Sequence, residues 1–233
     1  MNEKILNKLR SKYSIDIDIY EIENKDYLKI FKKIISKFSE PNSDISIIPS
    51  NFAYSKCSNK VAINGDGGDE LFIGYRRHAL TYFINKFRFI SKIPFNKFLD
   101  NKLFSSMSEN HFQNLQNLSG HFYTKTEKKL FDNFNLILDY NNKILKENFT
   151  SENYFLNQLN FDLGSQLTNC LMVKSDICSM ANSIEARSPF LDLSLYKLSK
   201  FQIKNNSHYS LLNKRYLRKQ LKERFDDKFY KIP

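Results

Sequence analysis

Apolar and polar positions alternate along the chain in short runs of two different periods. From Glu3 to Lys12, Ile5, Leu6 and Leu9 recur at helical spacing, and Ile15, Ile17 and Ile19 then alternate with Asp16, Asp18 and Tyr20, a period of two that predicts a strand. The helical period returns from Tyr27 to Phe38, at Leu28, Ile30, Phe31, Ile34, Ile35 and Phe38. Glu40-Pro41 ends that run, because a residue before proline is pushed out of the helical region. After the loop PNSDISIIPS, Asn51 to Ser58 reads as a helix and Lys60 to Ile63 as a short strand. That strand enters a glycine-rich turn, Asn64 to Gly68, and a single helix is expected from Asp69 through DELFIGYRRHALTYFINKF.

From Leu80 to Asn153 the pattern is a succession of Phe- and Asn-rich helical segments without catalytic signature, expected to be scaffold. From Tyr154 to Ser175, Leu156, Leu159, Phe161, Leu163, Leu167, Cys170, Leu171 and Val173 trace one helix face. The last segment, Leu211 to Phe225, reads as a basic amphipathic helix with Lys214 and Arg218 at i and i+4. The expected fold class is α/β and predominantly helical, with parallel strands near Ile15 to Tyr20 and Lys60 to Ile63.

Composition narrows the classes of function. With 233 residues, 41% of them apolar, the chain has material for a core. A formal charge of +11 would steer nucleic acid, anionic membranes or phosphorylated small molecules alike. The lysines are spread over the whole length, and no run of five or six like charges marks a nucleic-acid arm. No signal peptide and no stretch of eighteen apolar residues occurs, so neither nucleic acid nor membrane is an expected partner. Cys57, Cys170 and Cys178 are too few and too far apart for a disulfide framework or zinc site, which fits a reducing cytoplasm. His78, His111, His121 and His208 are isolated, and each is expected to be a surface or core histidine rather than a ligand.

Two stretches stand apart. Ile63 to Phe72 reads INGDGGDELF and holds three of the chain's six glycines and three acidic residues within a basic protein. As a surface turn it needs only the tolerance of glycine for positive φ. As a ligand loop between a strand's end and a helix's start, it would bring backbone N–H groups close to an anion, with Asp66 and Asp69 as oxygen donors for a hard cation. The second stretch, SDICSMANSIEARSPFLD from Ser175 to Asp192, embeds Asp176, Glu185, Arg187 and Asp192 in small and apolar residues. A structural ion pair of Glu185 with Arg187 and a functional role are both open.

Taken together, these stretches resemble the C-terminal synthetase domain of the glutamine-dependent asparagine synthetases, within the PP-loop ATP pyrophosphatase superfamily. The resemblance rests on four elements in order: Glu40-Pro41 with Ser46 to Pro49, Asn64 to Tyr75, Ser179 to Asp192, and Lys214-Arg215-Tyr216-Leu217-Arg218. It implies a partial PP-loop domain over residues 1–233, with a remnant of parallel sheet. It implies a carbon–nitrogen ligase using ATP and Mg²⁺, which adenylates the side chain of aspartate, releases pyrophosphate and lets ammonia from glutamine displace AMP. By the same resemblance Asn64, Gly65, Gly67 and Lys214 bind the nucleotide, Asp66 and Glu185 are catalytic, and Asp69 binds the metal. These segments would then converge on one pocket.

The pattern departs from the family in several places. Asn64 stands for the usual Ser, Ile73 for a glycine, and Ile177 for a frequent Lys or Arg facing the phosphates, whose charge Lys174 or Lys214 would have to supply. The Ser-Gly-Gly-x-Asp-Ser phosphate loop and the glutaminase domain do not occur. The expectation is a piece of a longer enzyme, inactive alone and marginally stable. Exposed strand edges would then associate with a separate N-terminal half or a second copy. A non-catalytic or split-enzyme component, and an amidotransferase acting on another carboxylate, remain the alternatives.

Overall fold

A computed structural model describes residues 3–40, 42, 44–86, 143, 147, 153–206 and 211–224. Most of the Leu80 to Asn153 scaffold, Pro41, His111, His121 and His208 lie outside these residues. The elements are α1 (Glu3–Tyr13), α2 (Asn24–Ile35), α3 (Ile47–Ser55), β1 (Val61–Ile63), α4 (Gly68–Leu71) and α5 (Arg76–Lys86). After the undescribed stretch come α6 (Tyr154–Phe161), a π-helical run (Asp162–Met172), α7 (Val173–Met180), β2 (Glu185–Arg187), a 3-10 turn (Pro189–Leu191), α8 (Leu193–Asn205) and α9 (Arg215–Arg224). The described architecture is mostly helical with one short parallel pair of strands, a coarse α/β arrangement.

The chain divides into two compact units. The first comprises residues 1–64, 172–187 and 217–233. Its core is Ile34 of α2, Ile47 of α3 and Cys178 of α7, with Phe31, Ile35, Phe38, Ile48 and Ile177 packed around them. The helical period of the α2 segment therefore predicts the buried face, although the helix stops at Ile35 and Phe38 reaches the core from the following turn. In the same unit β1 and β2 run parallel in the register Val61–Glu185, Ala62–Ala186, Ile63–Arg187. The second unit comprises residues 65–171 and 188–216. There α8 packs against α4 and α6, and Leu71, Ile73, Phe155, Leu159 and Ile203 are almost fully buried. Side-chain caps start two of its helices: Asn153 accepts from the Phe155 and Leu156 N–H groups, and Asp192 accepts from that of Ser194.

Five expectations need correction. Ile15 to Tyr20 forms no strand; Ile15, Ile19 and Tyr20 stand about half exposed, 45%, 49% and 52%. Alternation alone cannot hold a strand, because its N–H and C=O groups need a partner, and β1 pairs instead with the three-residue β2. α3 starts at Ile47 rather than Asn51, with Pro49 in its first turn, where the missing N–H has no intrahelical role. The single helix expected from Asp69 is two, broken at Ile73. That residue has φ 54° while the Gly74 N–H donates to the Asp69 carbonyl at 2.8 Å, the six-to-one closure of a helix end. The run from Tyr154 remains helical through Met180 but widens to π pitch between Asp162 and Met172. Finally α9 begins at Arg215, because Asn213 and Lys214 take φ of 58° and 56°; Lys214 lies before the helix and does not share its face with Arg218.

Candidate active site

The acidic glycine loop leaves the end of β1. The Asn64 N–H donates to the Arg187 carbonyl at 2.9 Å, which extends the parallel ladder by one residue. Its side-chain amide donates to Ser175 Oγ at 2.9 Å and to the Tyr54 hydroxyl at 3.3 Å. A polar group at this position is thus part of a three-residue cluster with the buried Ser175. Neither Tyr54 nor Ser175 carries a sequence signal that marks it as a partner of Asn64.

Four glycines lie between positions 65 and 74, and three of them are closely packed. Gly67 has φ 90°, and a Cβ there would run into the Leu191 side chain. A Cβ on Gly68 would press within 3.3 Å of the Phe190 ring, and one on Gly74 would overlap the Asp69 carboxylate and the Lys214 stem. At Gly65 φ is not positive, and a Cβ would meet nothing within 4 Å among the described residues. The turn reading of the loop therefore accounts for Gly67, Gly68 and Gly74 but leaves Gly65 over. The helix after the loop, α4, is a single turn. It is too short for the N-terminal anion site expected of a full helix, whose field needs several aligned peptides.

In the second unit the loop meets parts of two other sequence elements. Phe190 and Leu191 of the second stretch lie over Gly67 and Gly68. Phe72 touches Phe190 edge-on, with ring centroids 6.1 Å apart, and stacks on Tyr216 at 6.0 Å. The Lys214 ammonium pairs with Asp69 Oδ2 at 2.9 Å, both side chains about one-third exposed. Asp69 and Lys214, separated by 145 positions, are thus brought together. As a magnesium ligand Asp69 offers one carboxylate already engaged by an ammonium, and no group of three His, Cys, Asp or Glu side chains that could hold a metal occurs among the described residues. Such a donor fits a divalent ion that keeps most of its waters or takes phosphate oxygens as its other ligands, rather than one enclosed by protein ligands.

Asp66 lies in the loop of the second unit, and Glu185 on β2 of the first. Glu185 is exposed and accepts from Arg187 Nε at 2.8 Å, two residues along the strand and so on the same side of it. That hydrogen bond and the adjacent guanidinium hold the Glu185 carboxyl below its ordinary range. The structural ion pair is thus formed. The other embedded charges have plain roles or none: Asp192 caps α8 and Asp176 is exposed. Lys174 is tied to Ser46 Oγ at 3.0 Å and Asp44 Oδ2 at 3.4 Å. Burial raises the Asp44 carboxyl, but the bonds from Ser46 and the charge of Lys174 outweigh it and leave it lowered. Both lysines named as substitutes for the cation missing at Ile177 are therefore paired inside the protein.

One cluster carries no sequence signal. Asp162, at the first position of the π-helical run, is fully buried and accepts from Arg77 Nη2 at 3.0 Å, His78 Nε2 at 2.6 Å and Gln158 Nε2 at 3.1 Å. Burial pushes its carboxyl up, but His78 and Arg77 more than reverse that, so it is lowered. His78 is accordingly a paired core histidine. Next to it, Tyr75 donates to the buried Glu70, and burial together with that carboxylate raises the phenol well above its ordinary range.

A short parallel pair of strands among helices, with an acidic glycine loop leaving one strand and a lysine turn closing on that loop, defines a mostly helical protein of α/β type. The pattern of the family described as asparagine synthase matches residues 6–231, and the chain belongs to that family. The chain is 26% identical over 217 residues to a protein of Bacillus subtilis (strain 168) named asparagine synthetase [glutamine-hydrolyzing] 1, a match covering 83% of this chain and 34% of the relative. It thus spans about a third of that relative's length. No solved structure matches the chain significantly. Among the described residues no helix is long and apolar enough to cross a membrane.

Proposed function

We propose that the chain is the amide-forming part of an ATP-dependent carbon–nitrogen ligase, with aspartate as its acid and ammonia released from glutamine as its nitrogen source. A side-chain carboxylate oxygen attacks the α-phosphorus of ATP and pyrophosphate leaves. Ammonia then attacks the acyl carbon, AMP leaves with the carboxylate oxygen, and the surplus proton passes to a carboxylate. In this reading Asn64, Gly65 and Gly67 lie along the nucleotide, Asp66 and Glu185 are the catalytic carboxylates, and Lys214 faces the phosphates. Asp69 would hold magnesium in part, and the bound metal would supply positive charge that offsets the charge of pyrophosphate.

The observation that carries the reading is Gly65. Packing and backbone conformation account for its three neighbouring glycines and not for it, whereas close approach of a ligand to the main chain would. Gly65→Ala should therefore leave stability within about 0.5 kcal/mol while lowering nucleotide use.

The test joins the chain to a candidate N-terminal half carrying a Ser-Gly-Gly-x-Asp-Ser loop. Pyrophosphate release from MgATP is measured with aspartate and then with other acids. Release that needs aspartate and is abolished by Asp66→Ala supports the reading; full release in the Asp66→Ala protein refutes the role of Asp66. Release with a different acid favours the alternative amidotransferase. Absence of release, with binding to the N-terminal half retained, favours a non-catalytic component.

A further inference from the structure

We propose that in the nucleotide-free protein the Lys214 ammonium holds a divalent cation's place at Asp69, so that a divalent ion joins this carboxylate only when a polyphosphate draws the lysine away. The proposal rests on the assignment of Asp69 to the metal and Lys214 to the phosphates, and it adds the order in which they act.

The pair is built from both sides. On one side, α4 presents Asp69 and is closed by the Gly74 N–H on the Asp69 carbonyl. On the other, Asn213 and Lys214 take the left-handed conformation, and the Asn213 N–H donates to the Ile73 carbonyl at 3.0 Å. Ile73 is itself left-handed, so three non-glycine residues in a conformation costing roughly 1–2 kcal/mol each meet at this point. The absent side chain of Gly74 leaves the space that the Asp69 carboxylate and the Lys214 stem fill. A long lysine side chain with free rotamers would not be placed this way by a casual surface contact.

The charges give the order. One ammonium at 2.9 Å neutralises one carboxylate, and the neighbouring Glu70 is buried and bonded to Tyr75. A divalent ion arriving alone would have to displace Lys214 and leave it without its counter-charge. A triphosphate offers the lysine several anionic oxygens and brings the metal most of its ligands.

Binding of Mn²⁺ without nucleotide, followed by its paramagnetic resonance, tests this. The unaltered protein and Asp69→Asn should bind Mn²⁺ alike. Lys214→Met, its fold checked by circular dichroism, should gain a site roughly tenfold tighter that Asp69→Asn/Lys214→Met loses. Sodium tripolyphosphate added to the unaltered protein should make Mn²⁺ binding depend on Asp69. Mn²⁺ binding at Asp69 in the unaltered protein without phosphate overturns the proposal, as does a folded Lys214→Met that gains no site. Should Lys214→Met fail to fold, the comparison of the unaltered protein with Asp69→Asn still decides. An Asp66-dependent pyrophosphate release alongside metal-loaded Asp69 would defeat only this inference; the expected Mn²⁺ pattern without any release would defeat only the proposed reaction.

Discussion

Asp162→Asn replaces a carboxylate by a group of nearly the same shape and so isolates its charge. The native side chain is fully buried and receives three donors, from Arg77, His78 and Gln158. An amide keeps one accepting oxygen and turns an N–H₂ toward donors that previously met the other. Turned toward Arg77 and Gln158, the N–H₂ leaves both donors without an acceptor; turned toward His78, it is accepted only if the imidazole gives up its Nε2 proton. In either orientation the Arg77 guanidinium, 15% exposed, loses its counter-charge. Breaking a buried pair by removing one partner costs about 3–5 kcal/mol, a large part of the roughly 5–15 kcal/mol that stabilises a typical domain. With a urea dependence of about 2 kcal/mol/M, the unfolding midpoint should fall by roughly 2 M. Unfolding is followed by far-ultraviolet circular dichroism, and the substitution is repeated in an Arg77→Met background, where it should cost less because one donor is already gone. A midpoint shift below about 0.5 M, or equal costs in both backgrounds, would refute the reasoning.

Three further outcomes follow from the geometry. Because Asp162 and Asp44 are lowered in the folded protein, their stabilisation is present above the ordinary carboxylate range and drains away as pH falls through about 4 and below; urea midpoints measured across acid pH should show this, with a flatter profile for Asp162→Asn. Gly67→Ala should destabilise by about 1–2 kcal/mol or more, since φ is 90° and Leu191 fills the space, and an equal cost for Gly65→Ala would contradict the contrast between the two. Iodoacetamide at neutral pH should modify the exposed Cys57, while Cys178, buried and with its thiol pushed up to about 11, reacts only in denaturant; mass spectrometry of peptides reads the difference.

Legibility in the sequence followed the range of the interactions. The segments of α1 and α2 are readable because their apolar residues repeat within a few positions. β1 and its acidic loop are readable because a short apolar run ends in turn-forming residues. The Ile15 to Tyr20 alternation misleads because a strand also needs an edge to bond, and nothing local to those residues reports that β1 bonds Glu185–Arg187 instead. The break at Ile73 escapes notice because a buried β-branched residue is a poor signal for a left-handed helix end. Glu185 and Arg187, two apart on one strand, are the simplest pair to anticipate; Asp162 with His78, 84 positions apart, is beyond any local pattern.

What the sequence determined alone was the family and the residue types of the loop, since a motif is a local string and its chemistry travels with its side chains. What only the tertiary structure decided was the partner of each polar group: Ser175 for Asn64, Lys214 for Asp69, Lys174 for Asp44 and His78 for Asp162. The physical reason is that polar pairing depends on distance in space, and chain closure over 84 residues or more leaves no trace in the spacing of letters.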